Sequence, residues 1–311
     1  MSRIPLTCLV LLAFFVLANA MLSAAVVGGW RAMRFSGVRW GANSLLALRL
    51  LPSIGSLLVV FGVVLPGFFA YEPEGGPEPV GPALWILAVL SLFPLADGLR
   101  RASRAAMATR ALLKYCGSAE NSNPRQNIEI VEVADPIVAV VGSIRPRMVA
   151  SRRAISECTE LEFCQIVNHE RAHLERRDNL RLLSVIISPD ILAWTATGAE
   201  IAQRWRLASE FHADERATGA DPNKRVALAA ALIKVARLTT GTDRVRPTLS
   251  MPVALDDIEG RVRALLSAPK NSHSAEIRGW LPAIGLLILA ATVAAIHPVH
   301  RFAEVLIALG H

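Results

Sequence analysis

The segment Val167-Asn168-His169-Glu170-Arg171-Ala172-His173-Leu174 holds two histidines four residues apart. On a helix that spacing sets both imidazoles on one face, a turn apart, where a single metal ion can take a nitrogen from each. Glu170 follows the first histidine and sits near the same face, able to reach a water beside the ion without being a ligand. Zinc lowers the pKa of such a water toward neutrality, and a carboxylate can take its proton and later pass it to a leaving amine. Incidental histidines on an exposed helix would share the spacing. The two readings part over a third ligand, because a catalytic zinc takes three protein ligands and keeps one position open.

The stretch from Arg206 to Ala217 offers that ligand. Glu210 and Asp214 stand four apart in it and share a helical face. One carboxylate can go to the metal while the other orients a ligand histidine through its free ring N–H. A solvated acidic face would look the same in isolation. His212 is the rival ligand; it points about 160° away from Asp214 around the helix. Glu210, which has a same-face partner, is the preferred one. The expected site is therefore a Zn2+ held by His169, His173 and Glu210, with Glu170 as general base and Asp214 behind the ligands. His273, His297, His300 and His311 show no ligand spacing.

These residues need particular elements beneath them. Thr159-x-x-Glu162 has the spacing of a capping box and predicts a helix running to about Arg176. Upstream, Asn127 to Val133 alternates apolar with polar residues, the period of a half-buried strand. Asp135-Pro136 interrupts it; Ile137 to Val141 and Arg147 to Ala150 read as further strands of a small antiparallel sheet. Gly117 to Gln126 reads as a loop, and the basic, alanine-rich Arg100 to Tyr115 as a helix leaving a membrane. Leu182 to Ala196 is apolar but short and contains Pro189 and Asp190, so it reads as a buried or membrane-grazing helix pair and not as a further span.

Composition agrees with a protein divided between lipid and water. Of 311 residues 53% are hydrophobic, while the charged residues gather between Arg100 and Arg278. Four apolar runs can cross a bilayer: residues 4–27, 51–69, 83–99 and 280–296. Ala18-Asn19-Ala20 resembles a signal-peptidase site, but cleavage would leave Arg31 and Arg34 outside, against the charge rule, so the first span is expected to stay. Arg31, Arg34, Arg39 and Arg49 precede the second run, Arg100, Arg101 and Arg104 close the third, and Arg278 precedes the fourth. Glu72, Glu74 and Glu78 lie in the loop opposite. That alternation puts the charged middle in the cytoplasm, with Arg3 the one dissenting charge. The expected domains are 1–99 in the membrane, 100–278 as a cytoplasmic peptidase, and 279–311 as a fourth span with a short tail. The net charge of +7 comes from arginines beside apolar runs, which fits anionic lipid better than nucleic acid. Cys8, Cys116, Cys158 and Cys164 form no CxxC pair and are expected to be free thiols.

From Asp135 to Leu266 the chain resembles the cytoplasm-facing membrane metallopeptidases of the Bla/Mec type, of the gluzincin class. These are bacterial sensor-transducers that induce β-lactam resistance by causing loss of a DNA-binding repressor. The resemblance rests on Val141-Gly-Ser-Ile-Arg-Pro-Arg-Met-Val-Ala150 before the helix and Thr159-Glu-Leu-Glu162 at its start. It continues in His169-Glu-Arg-Ala-His-Leu-Glu-Arg-Arg-Asp178, the bend from Ser188-Pro189 to Trp194, Glu210-Phe-His-Ala-Asp214, and Ile258 to Leu266 as a closing helix. It implies zinc ligands His169, His173 and Glu210, base Glu170, and Asp214 supporting a ligand. It also implies an α+β, mostly helical fold in the bacterial inner membrane and a protein substrate, either the chain itself or a winged-helix repressor. That family's extracellular penicillin-binding domain follows its last span, where only about fifteen residues follow Ile296 here; antibiotic sensing is therefore not expected. A quality-control peptidase of the HtpX kind shares the HExxH and ExxxD elements, and a membrane scaffold with a structural zinc is a third reading. The Arg145-Pro146 strand and the Arg176-Arg177-Asp178 tail favour the first, and Glu170 disfavours the scaffold.

Overall fold

The computed structural model describes residues 3–33, 40–71, 80–116, 121–123, 128–133, 135–239 and 255–267. In chain order the elements are α1 (Arg3–Met33), α2 (Ala42–Val59), a π-helical turn (Val60–Val64), α3 (Leu65–Tyr71), α4 (Pro82–Cys116), β1 (Asn121–Asn123), β2 (Ile128–Val131), β3 (Val138–Val141), β4 (Arg147–Ser151), α5 (Arg152–Glu157), α6 (Glu160–Arg176), α7 (Asp178–Ile187), a 3-10 turn (Ile191–Trp194), α8 (Ala196–Thr218), α9 (Pro222–Thr239) and α10 (Leu255–Leu266). Two compact units emerge. One runs to Arg100 and also takes Ile187–Ala202, a segment that the sequence assigns to the peptidase region; the other holds Arg101–Ile186 and the described residues from Gln203 onward.

The first unit has three helical stretches long and apolar enough to cross a membrane, Pro5–Met33, Ala42–Ala70 and Pro82–Cys116. The third is longer than the expected span because the basic sequence after Leu99 continues the same helix. The fourth expected span, 280–296, and the acidic loop at 72–79 lie outside the described residues. Pro66 can donate nothing to Gly62, and the helix widens into its π turn just before it. Exposed Trp85, Ile86, Val89, Phe93, Leu58 and Phe61 leave an apolar outer surface, as lipid requires.

Segment 187–202 is fastened into this unit by buried polar groups. Asp190, wholly buried, accepts from Arg49 Nη1 at 2.9 Å and from Ser53 Oγ at 2.8 Å. Its other oxygen caps the 3-10 turn by accepting from Ala193 N–H at 2.6 Å. Asn19 donates to Pro189 O at 3.2 Å and accepts from Ile191 N–H at 2.9 Å, answering main-chain groups that no helix satisfies. Gly98 and Gly198 permit the close approach: a Cβ would stand 2.7 Å from Ile187 O at the first and 2.0 Å from Leu192 O at the second. Because α1 runs unbroken through Asn19, the signal-peptidase-like triplet is helix interior.

The second unit is built on a four-stranded sheet of order β1-β2-β4-β3. It is mixed, not antiparallel as expected: β4 pairs antiparallel with β3 but parallel with β2. After β2 the chain passes Asp135-Pro136 to the far edge as β3, then turns at Gly142, whose φ of 94° favours glycine, and returns as β4 between the two. Alternation holds strictly. Val131, Ala139, Val141 and Val149 pack with Leu112 and Cys116 of α4, while Ile128, Val140, Met148 and Ala150 pack with Val167 of α6. The site helix α6 thus lies on one face of the sheet. The four cysteines are free thiols, as expected.

Asp190→Ala should lower stability by about 3–5 kcal/mol by leaving Arg49 buried without its partner. The double replacement Arg49→Leu, Asp190→Leu should cost much less. Denaturation of the detergent-solubilised protein reads both, and equal losses would contradict a paired-charge account.

Candidate metal centre

Local sequence sets the site helix in place. Thr159 Oγ1 accepts from Glu162 N–H at 3.3 Å and Glu162 Oε2 accepts from Thr159 N–H at 2.8 Å, the complete capping box. Lys234 Nζ adds a 2.6 Å bond to the same carboxylate, and with Thr159 it holds Glu162 below its usual pKa against the upward push of burial. The helix stops at Arg177, in the left-handed region at φ 55°, so Asp178 begins α7 already turned back toward the last turn of α6.

Three groups converge here. His169 and His173 from α6 and Glu210 from α8 are all buried and could hold a metal ion. The two Nε2 atoms are 3.1 Å apart, and each lies 3.4 Å from an oxygen of Glu210. A tetrahedral ion with bonds of about 2.0–2.1 Å would separate its ligand atoms by about 3.3–3.4 Å, so the trio fits one. His212 is exposed and belongs to no ligand group among the described residues.

The opposite ring nitrogens each face a carboxylate. Asp214 Oδ1 stands 2.9 Å from His169 Nδ1, and Asp178 Oδ2 stands 2.8 Å from His173 Nδ1. The Asp178 bond fixes the tautomer of His173 that turns its Nε2 inward, whereas Asp214 stands at ion-pair distance from His169 Nδ1 without hydrogen-bond alignment. Asp214 falls where the sequence put it; Asp178 has a role that the sequence reading did not give it. Arg261 of α10, 2% exposed, is the other residue missed: Nη1 lies 2.6 Å from Glu210 Oε2, while Nε and Nη2 donate to Asp214 at 2.8 and 2.6 Å. A signal was present, since Ile258, Arg261, Val262 and Leu265 fall on one helical face, and a charge on an apolar face needs a partner.

No family model, curated protein or solved structure matches this chain.

Burial pushes the Glu210 pKa up, but Arg261 and the two histidines hold it well below the usual carboxylate range. Asp214 is lowered in the same way, by His169 and Arg261 against burial. Burial pushes His173 down, but bonds to Asp178 and Glu210 outweigh it and carry the ring up to about 10; His169 is raised by Asp214 and Glu210 against the same opposition. Alongside, Glu170 lines a cavity of about 330 Å³ whose other walls include Ile137, Ile166, Leu228, Ala231, Leu232 and Val235.

Two predictions follow from the electrostatics and the ligand set. A raised histidine pKa stabilises the fold fully below the unfolded value near 6.5, and that contribution fades as pH rises through about 10. At pH 7.5 the ion-free site therefore holds a proton on His173 that an incoming ion must expel. Calorimetric zinc titrations in two buffers of different ionisation enthalpy should show at least about one proton released per ion, and affinity rising with pH. Separately, about one zinc should bind per chain; replacing His169, His173 or Glu210 by Ala should empty the site, and His212→Ala should not. An empty site in His212→Ala with a full one in Glu210→Ala would reverse the assignment.

Proposed function

We propose that this chain is an integral-membrane zinc-dependent endopeptidase of the gluzincin type, with ligands His169, His173 and Glu210 and general base Glu170. What carries the reading is one combination: three buried ligands at tetrahedral separations, and a further carboxylate lining the same cavity without joining them. A structural site closes its coordination with a fourth protein ligand and has no use for such a carboxylate. Two imidazoles and a carboxylate in tetrahedral array suit zinc. Zinc bound there would polarise a peptide carbonyl and lower the pKa of water.

The chain's own groups then have distinct tasks. Glu170 takes a proton from the attacking water and delivers it to the leaving amine. Asp178 keeps the His173 ring facing inward, Asp214 stands beside the His169 ring, and Arg261 keeps Glu210 ionised and aimed. The aliphatic wall from α9 excludes bulk water and offers an apolar surface to a substrate side chain.

A regulatory role is the reading we favour: cleavage of the chain itself or of a cytoplasmic protein such as a winged-helix repressor, from the inner membrane of a bacterium. Its support is the arginine pattern at the ends of the apolar runs, which assigns the peptidase region to the cytoplasm, together with the Bla/Mec-type motifs. Envelope-protein quality control in the manner of HtpX is the alternative if that orientation is reversed.

Glu170→Gln should keep zinc and fold while cleavage of a proteome-derived peptide pool, read by mass spectrometry, falls by about 10²–10⁴-fold; retained cleavage in the zinc-loaded variant would end the mechanism. Reporter fusions after Arg104 and within 271–275 should report cytoplasm, and one within 75–79 the outer side. An outer-side signal after Arg104 would overturn the regulatory reading.

A further inference from the structure

Glu170 is held from outside its own helix. Its Oε2 accepts from the main-chain N–H of Val140 at 3.0 Å. The carbonyl of the same residue accepts from Asn179 Nδ2 at 2.8 Å, and that amide also reaches Gly142 O at 3.1 Å. Among the described residues β3 is an edge strand, paired with β4. Ile137 O takes the N–H of Ser151, so the alternate residues Val138 and Val140 direct their main-chain groups away from β4. At Val140 both outward groups are taken by side chains, one from α6 and one from α7.

We infer that the main chain of Val140 is a positioning group for Glu170, and that Asn179 is the residue that keeps Val140 in register. Glu170 lies about 100° around the helix from His169 and about 60° from His173, so its side chain leaves α6 beside the ligand face and not in it. Several rotatable bonds separate its carboxylate from the backbone, and freezing them needs an external anchor. The strand is a good one, because Val140 is 5% exposed and packs in the layer between sheet and α6. Asn179 also adjoins Asp178, which holds His173. One turn between α6 and α7 therefore ties a ligand ring and the base to the same strand edge.

The kinetic consequence rests on the peptidase reading; the contact does not, and the test separates them. Full-length protein in lipid nanodiscs, loaded with zinc, is followed by amide hydrogen exchange resolved to single residues by fragmentation. Glu170→Ala should speed exchange at Val140 by about tenfold or more, while Glu170→Gln, whose amide oxygen still accepts, should leave it near wild type. An unchanged rate in Glu170→Ala overturns the proposal. Next, Val140→Pro, or an α-hydroxy acid at position 140 that swaps only N–H for oxygen, should lower kcat by about 10–100-fold on a peptide drawn from the pool. Zinc content should stay within about twofold, since no ligand changes, and kcat should fall by more than KM rises although Val140 also lines the cavity. Asn179→Ala should show part of the same kcat loss. Unchanged kcat with the backbone ester overturns the proposal even if proline disturbs the strand. If wild type cleaves no peptide, the peptidase reading falls, and the exchange measurement still decides whether Val140 anchors Glu170.

Discussion

Glu210 keeps its charge in a place that water barely reaches, and most of the second unit is arranged around that fact. Burial alone would drive its proton back on. Arg261 and the imidazoles of His169 and His173 prevent this from three sides. Meeting the charge requires α6, α8 and α10 to converge, and each partner then needs its own. Asp214 answers both His169 and Arg261, while Asp178 answers His173 with Arg176 and Arg181 nearby at 3.5 and 3.6 Å. Buried charges are tolerated only in such closed sets, and a set missing one member is worse than none.

The first unit obeys the same rule with fewer groups. Arg49 and Asp190 are 3% and 0% exposed among residues otherwise fit for lipid, and they are paired. The irregular backbone around Pro189 is the complementary problem, since N–H and C=O groups there have no helical partner. Asn19 supplies both a donor and an acceptor. A leucine at position 19 would suit the apolar run better by hydropathy and would leave those groups unanswered.

Local features were legible in the sequence because local physics sets them. The capping box of Thr159 and Glu162 fixed where α6 begins, and the alternation at 127–133 with the short apolar runs after it marked β2 to β4 to within a residue or two. The three apolar stretches appear as helices, and the four-residue spacings of His169/His173 and Glu210/Asp214 gave both halves of the candidate metal site. What escaped was non-local. Period-two alternation is the same for parallel and antiparallel pairing, so the return of β4 between β2 and β3 left no trace in the pattern. Asp178 looked like the tail of a basic motif because only the left-handed turn at Arg177 brings it back to His173. Arg261 sat in a helix with another arginine, Arg263, which is exposed and pairs with Glu259. The apolar face shared with Ile258, Val262 and Leu265 sets Arg261 apart, but the carboxylates that it meets come from α8.

The two-histidine motif is therefore a weaker statement than the site built on it. Any helix with that spacing presents two rings together, whatever surrounds it. A metal centre with catalytic character needs a third ligand that stays ionised while buried, and a base held apart from the ligands though it is their neighbour in sequence. Neither condition can be met within α6. The first depends on charges brought by α8 and α10. The second depends on an edge strand whose outward N–H meets the Glu170 carboxylate because, among the described residues, the strand has no second neighbour in the sheet. Had β4 been the edge and β3 the interior strand, Val140 would donate to another strand and Glu170 would lose its anchor. The strand order that the sequence could not reveal is thus the part of the fold on which the placement of the Glu170 carboxylate depends.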